Sequence, residues 1–155
     1  MMKDNEFNSH FQGNLNMMRI ASSSLGYGPM PLPDQEIEQR LTLNRRGQVW
    51  FSNYLFGDGI TRQVNRKERS TIPGKDATQI LELIANAFRI EPDHHLFTDT
   101  GIWKLELIND VGWSFHYAGS VVDRGNDDLL NQASVELRRV LGMPELIAFD
   151  GCIRC

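Results

Sequence analysis

Two segments of this sequence share one pattern, in which alternating polar and apolar residues lead into a glycine turn. The first is Arg40-Leu41-Thr42-Leu43 followed by Gly47, and the second is Lys104-Leu105-Glu106-Leu107 followed by Gly112. A period of two residues is typical of a strand with one buried face, and glycine supplies the positive φ that a tight turn needs. Strand-like residues continue beyond both turns, over 48–56 and 113–122. The sequence therefore predicts two β-hairpins.

An amphipathic helix is predicted after each hairpin, over about 76–89 and 127–141, because apolar residues recur there at spacings of three and four. Asp76 with Gln79 three residues later matches a capping box, and Gly142 is the expected stop of the second helix. The two apolar stripes consist of Ala77, Ile80, Leu81, Ile84 and Phe88, and of Leu130, Ala133, Leu137 and Leu141.

These elements predict an α+β fold made of two ββα units, in which a four-stranded antiparallel sheet carries both helices on one face. We place this single domain at 36–151 and a short tail at 152–155. Residues 1–35 show no period, and prolines at alternate positions favour extended chain. We therefore expect an N-terminal arm that is flexible or packed on the surface through Tyr27 and Met30. The polar stretch 62–75 is predicted to be a loop.

Charge, hydropathy and cysteine content exclude several classes of function. The chain has 16 Lys and Arg against 20 Asp and Glu, a net charge of −4, whereas binders of duplex DNA usually carry a basic surface. Its apolar runs are far shorter than the ~20 residues of a membrane-spanning helix. Both cysteines lie within the last four residues and cannot cross-link a domain of this size. We expect a cytoplasmic protein without a membrane span.

Four stretches resemble a family of small uncharacterised bacterial proteins. They are Ser22-Ser23-Ser24-Leu25-Gly26-Tyr27-Gly28-Pro29-Met30-Pro31, the strand segments 36–43 and 47–52, and the ending Leu141-Gly142-Met143-Pro144-Glu145-Leu146-Ile147-Ala148-Phe149-Asp150-Gly151. The likeness covers about residues 19–151. It implies a bacterial protein with two ββα units, and it brings no activity, cofactor or partner with it. The residues before Met17 and the cysteine tail depart from the family's pattern.

Catalytic and metal-binding patterns are weak in this sequence. It has no nucleophile elbow, no HExxH and no phosphate-binding glycine loop, so we expect neither enzymatic activity nor a cofactor. Cys152 and Cys155 have the spacing of half a tetrahedral zinc site. In the segment from Asp93 to Asp99, carboxylates stand near His94 and could orient its imidazole, which leaves a minor metal-binding or hydrolase role as an alternative.

The face of the sheet that the helices leave uncovered is the predicted binding surface. Aromatic rings framed by charges are typical of protein-recognition patches, because Tyr, Trp and Arg dominate their binding energy. An arm that folds back over the rings is the competing interpretation. The sequence thus predicts a protein partner, or a second copy of the chain, and no small-molecule ligand. The predicted contact residues are Arg40, Trp50, Tyr54, Phe56, Lys104 and His116.

Nucleic-acid binding through the basic stretch 62–75 is the alternative hypothesis. Single-stranded nucleic acids bind where cations lie beside aromatic rings. The acidic net charge makes this alternative weaker than a protein partner. The residues that would carry it are Arg62, Arg66, Lys67 and Arg69.

Overall fold

The structure, a computed structural model, describes residues 9–24, 30–61, 63–94, 96 and 100–151. The described part contains six strands and two helices, in the order β1 (Leu15–Ser23), β2 (Glu36–Asn44), β3 (Gln48–Leu55), β4 (Gln63–Thr71), α1 (Gly74–Ile90), β5 (Ile102–Asn109), β6 (Ser114–Ser120) and α2 (Leu129–Leu141). An α+β fold with two helices and an antiparallel sheet is confirmed. Among these residues, neither helix has the length and apolar character needed to cross a bilayer.

The sheet has six strands rather than the predicted four, in the order β4-β3-β2-β1-β5-β6, and every neighbouring pair is antiparallel. The hairpins β2–β3 and β5–β6 occur where they were predicted, but β1 lies between them. The prediction of an arm was therefore wrong at Leu15–Ser23. The prediction of a loop was wrong at Gln63–Thr71.

Alternation of polar and apolar residues does not predict β1, because a β-bulge interrupts this alternation. Its register against β5 shifts between Leu15 and Met17, so Asn16 is an extra residue. Leu15 and Met18 are consequently both buried at a spacing of three, and alternation at a spacing of two begins only at Met18, with Ile20 and the polar Ser22. The N-terminal segment belongs to the core, since Phe11 is also buried and its ring lies 5.0 Å from that of Phe115.

Alternation does not predict β4 either, because neither side of this strand is buried. All nine of its residues are exposed, and it pairs with β3 at the edge of the sheet. The central residues Arg66-Lys67-Glu68-Arg69 are charged. Charged side chains on an edge strand oppose uncontrolled pairing with other chains, which accounts for a strand that has the composition of a solvated loop.

α1 packs against one face of the sheet, and α2 packs beside α1 in the same core. The Phe88 ring of α1 stacks on Tyr117 of β6 with centroids 4.3 Å apart, and it meets Trp103 of β5 edge-on at 5.9 Å. α1 also contacts α2 and β1. The buried strand residues beneath the helices include the alternate positions expected from the sequence, namely Leu41, Leu43, Leu105, Leu107, Phe115 and Tyr117.

The helix ends differ in how they are capped. α1 begins at Gly74 after Pro73, without a side-chain cap, so the predicted capping box at Asp76 was wrong and Asp76 lies inside the first turn. The N-cap of α2 is Asp128, whose side chain accepts hydrogen bonds from two backbone N–H groups. Gly142 ends α2 in the left-handed conformation at φ 65°, as predicted.

The segment after α2 closes the core. Leu146, Ala148 and Phe149 are buried there. The Ser22 hydroxyl donates to the Ala148 carbonyl at 2.7 Å, and the Gln39 side chain accepts from the Ile147 N–H at 2.7 Å. These hydrogen bonds attach the segment after α2 to the first two strands, so both ends of the described sequence belong to one core.

Candidate functional site

Three rows of side chains cross the face of the sheet that α1 and α2 leave uncovered, and we call these residues the open face. Cross-strand register defines the rows from β4 towards β6. They are Arg69, Trp50, Thr42, Arg19, Glu106 and His116; then Lys67, Ser52, Arg40, Ala21, Lys104 and Ala118; then Val64, Tyr54, Glu38 and Ser23. Strand pairing thus brings cations that are far apart in the sequence onto one surface.

A hollow of about 360 Å³ lies in the middle of the open face. In the second row Lys104 stands between Ala21 and Ala118, whose short side chains leave space beside it. Thr42 and His116 also line the hollow. Small residues therefore form its floor, and longer polar side chains form its rim.

Two ion-pair groups organise the rim. Glu106 lies between Arg19 and His116, with its carboxylate 3.1 Å from Arg19 Nη1 and 3.4 Å from His116 Nε2. Arg40 donates from Nε to Glu38 at 2.6 Å, and this hydrogen bond raises the pKa of Arg40 above its ordinary value. The pairs hold both arginines at the rim and compensate part of their charge.

Lys104 and Lys67 form no ion pair with any residue in the described ranges. Both side chains are exposed. The open face carries five cations, against the two carboxylates Glu38 and Glu106, so it has an excess of three positive charges when His116 is neutral. The whole chain has a net charge of −4. The open face is therefore opposite in sign to the rest of the molecule.

The aromatic rings of the open face are covered by guanidinium groups. Arg40 stands 4.5 Å above the ring of Tyr54, and Arg69 stands 5.7 Å above the ring of Trp50. Cation–π contacts of this kind hold a ring and a cation together at a surface. A nucleobase that stacked on either ring would have to displace the arginine from that side.

The structure brings together five of the six predicted contact residues, since Arg40, Trp50, Tyr54, Lys104 and His116 all lie on the open face. The sixth, Phe56, lies one residue beyond β3. Its ring is 3.0 Å from the point where a Cβ on Gly59 would stand, so it packs in the turn towards β4.

Sequence reasoning missed Arg19 because the segment that contains it was interpreted as an arm. The signal was present, since Arg19 is the polar residue between buried Met18 and Ile20. Alternation over these three residues places Arg19 on the opposite side of the sheet from the core.

The basic residues of β4 do not form one patch. Lys67 and Arg69 point to the open face, opposite Ser52 and Trp50. Arg66 lies on the helix side, with its guanidinium 5.2 Å from the Phe51 ring and 2.8 Å from Glu68. Arg62 lies outside the described residues. The three described residues of the nucleic-acid hypothesis are thus divided between the two sides of an edge strand.

The described part of the N-terminal segment does not cover the hollow. Residues 30–35 run beside the turn after β3, where Phe56 and Gly57 donate to the carbonyls of Gln35 and Pro33 at 2.9 Å. Met30 is 80% exposed, so the expected attachment through this residue was wrong. Tyr27, the other expected attachment, lies outside the described residues.

The metal and hydrolase candidates are not assembled by the residues that the structure describes. His94 packs edge-on against Phe88 and Trp103 at 5.3 and 5.5 Å, and its Nε2 lies 3.1 Å from the Glu91 carbonyl. Burial lowers the pKa of His94, and the charge of Arg124 lowers it further.

In the described ranges no three His, Cys, Asp or Glu side chains group closely enough to hold a metal ion. Asp99, Cys152 and Cys155 lie outside those ranges.

No protein-family model matches this chain, and no curated protein matches its sequence. The resemblance to small bacterial proteins therefore stays a prediction. What can be argued about function depends on the geometry and charge of the open face.

Proposed function

We propose that this protein is a non-catalytic interaction module that binds a protein partner through the open face. The observation that carries the proposal is the hollow beside Lys104, which is bordered by cations and which no described segment of the chain fills. Protein-recognition sites combine a buried centre with aromatic and arginine side chains around it. Arg40 lines the hollow, and the rings of Trp50 and Tyr54 lie on β3, next to the β2 residues that border it. We further propose that the protein is bacterial, as the resemblance implies, and cytoplasmic, as its cysteine content favours.

A foreign protein suits this surface better than a second copy of the same face. In a two-fold dimer each open face would meet an identical one, because such interfaces use the same patch on both subunits. Three excess positive charges would then oppose three others. Like charges set against each other across an interface disfavour association.

The test compares the immobilised wild-type protein with the double variant Trp50→Ala/Tyr54→Ala on a lysate of the source organism. Trp113→Ala is the matched control, because Trp113 is a 42% exposed tryptophan before β6 that is not part of the open face. We expect a protein that wild type and control retain and that the double variant loses. With that protein purified, calorimetry should show binding weaker by at least about tenfold.

The melting temperature of each variant separates binding from folding. We expect the double variant to melt within about 4 °C of wild type, since both rings are only partly buried. A large loss of stability in the double variant would mean that the two rings stabilise the fold rather than bind a partner. Equal retention by all three proteins would refute the proposed surface.

Nucleic-acid binding is the second candidate, and one observation favours it. Lys67 and Arg69 lie on the same face as Trp50, which aligns two cations of β4 with an aromatic ring. A single-stranded oligouridylate should then bind at low salt, with an affinity that falls as salt rises. An absence of binding at about 50 mM NaCl would exclude this candidate.

A further inference from the structure

We infer that the segment recognised by the open face is acidic and carries an apolar side chain, which fills the hollow while carboxylates pair with Lys104 and its neighbouring cations. This inference rests on the proposed function and specifies the chemistry of the partner. It follows from three features of the described residues: the spacing of the cations, the shape of the hollow, and the charge that the face leaves uncompensated.

The cations of the second row stand on alternate strands. Lys67, Arg40 and Lys104 belong to β4, β2 and β5, and Ser52 and Ala21 separate them. Neighbouring strands are ~4.8 Å apart, so successive cations are separated by roughly 10 Å. A segment that crosses the strands would meet a positive charge, then a gap, then another positive charge.

The hollow begins in the last of these gaps, at Ala21, and extends past Lys104 to Ala118. Its volume of about 360 Å³ exceeds by an order of magnitude the ~30 Å³ that one water molecule occupies in the liquid. Ala21 and Ala118 present methyl groups on either side of Lys104. The site therefore has room for an aliphatic or aromatic side chain directly beside an ammonium group.

The uncompensated positive charge of the open face indicates which polar groups the partner carries. The two carboxylates of the open face already pair with Arg19, His116 and Arg40, whereas Lys104 has no ion-pair partner among the described residues. Carboxylates on the partner would compensate the excess charge and accelerate the encounter. RNA also carries negative charge, but the guanidinium groups over Trp50 and Tyr54 occupy the ring faces on which bases would stack.

The test selects a phage library of random peptides of about 12 residues on the full-length wild-type protein. We expect the enriched peptides to contain Asp or Glu close to Leu, Ile or Phe. One enriched peptide is then synthesised and its affinity is measured by fluorescence anisotropy. Its Kd should rise at least about tenfold for Lys104→Glu, which removes the ammonium group, and for Ala118→Leu, which fills the hollow without changing the charge.

Lys75→Glu is the matched control for net charge. Lys75 is exposed in the first turn of α1, away from the open face, and its replacement changes the charge of the protein by the same amount as Lys104→Glu. We expect the Kd for Lys75→Glu to stay within about twofold of wild type, because short-range pairing and not the overall field carries the binding.

Three results would overturn the inference. The enriched peptides could lack an excess of acidic residues, or they could bind Lys104→Glu as tightly as wild type. The third such result is that oligouridylate at an equal concentration displaces the bound peptide. Concentration-dependent dimerisation that Ala118→Leu abolishes would also overturn it, since the occupant would be a second copy. None of these results would contradict the finding that wild type retains a lysate protein and that Trp50→Ala/Tyr54→Ala loses it. Failure of the inference is therefore distinguishable from failure of the proposed function.

Discussion

Arg138 of α2 holds its guanidinium against the carboxylate of Asp150, and the two side chains are almost fully buried, with 9% and 6% of their surface exposed. The same guanidinium donates to the backbone carbonyls of Leu146 at 2.8 Å and Ile147 at 3.2 Å. One side chain of α2 thus satisfies several polar groups of the segment that closes the core.

Replacing Arg138 by alanine should destabilise the protein strongly. The change leaves the Asp150 carboxylate buried without its cation and several carbonyls without a donor. Removing one partner of a buried ion pair typically costs about 3–5 kcal/mol of unfolding free energy. Urea unfolding followed by circular dichroism measures this loss.

The control for this prediction is Arg139→Ala, at the next position of α2. Arg139 pairs with Glu136 on the exposed side of the helix, and surface pairs contribute little to stability. Equal unfolding midpoints for the Arg138→Ala and Arg139→Ala variants would contradict the role assigned to Arg138.

Gly119 of β6 should not tolerate alanine. A Cβ at this position would stand 2.3 Å from Cζ2 of Trp103, which is fully buried. Overpacking a core typically costs about 1–3 kcal/mol. Gly74→Ala provides the comparison, because no atom lies within 4 Å of its Cβ position at the start of α1. Thermal melting should show a lower Tm for Gly119→Ala and an unchanged or higher Tm for Gly74→Ala.

Removal of residues 1–24 should abolish cooperative folding. β1 pairs with β2 on one side and with β5 on the other, so its loss divides the sheet into two parts. Thermal melting of the truncated chain should show no sharp transition, and a transition near that of wild type would refute the central role of β1. As a milder variant, Ile20→Ala should cost about 2–5 kcal/mol.

His94 should make the stability depend on pH. Burial lowers its pKa below the ordinary value, so the folded protein holds it neutral while the unfolded chain gains a proton near about pH 6.5. The contribution of neutral His94 is complete above that pH and is lost as the pH falls below it. The unfolding free energy should therefore drop more between about pH 7.5 and about pH 5.5 in wild type than in His94→Gln.

An equal drop in unfolding free energy in wild type and in His94→Gln over this pH range would contradict the assignment to His94.

Local patterns predicted the elements that have one buried side. The stripes of α1 and α2, the hairpins β2–β3 and β5–β6 and the stop at Gly142 each depend on a few neighbouring residues. β1 was missed because the bulge at Asn16 breaks its period, and β4 was missed because it buries no side chain. The two failures differ in cause, since β1 buries residues whose period is interrupted, whereas β4 has no burial for alternation to report.

The sequence by itself determined the two helices, the two hairpins and the polar residues that alternate with the core positions of β2, β5 and β6. Only the tertiary structure decided that β1 lies between the hairpins and that its Arg19 meets Glu106, 87 residues away. Strand order depends on contacts between distant residues, and the entropy of closing a loop rises only slowly with its length. Short stretches of sequence therefore carry no signal of which strands become neighbours, and the hollow beside Lys104 arises only once they have paired.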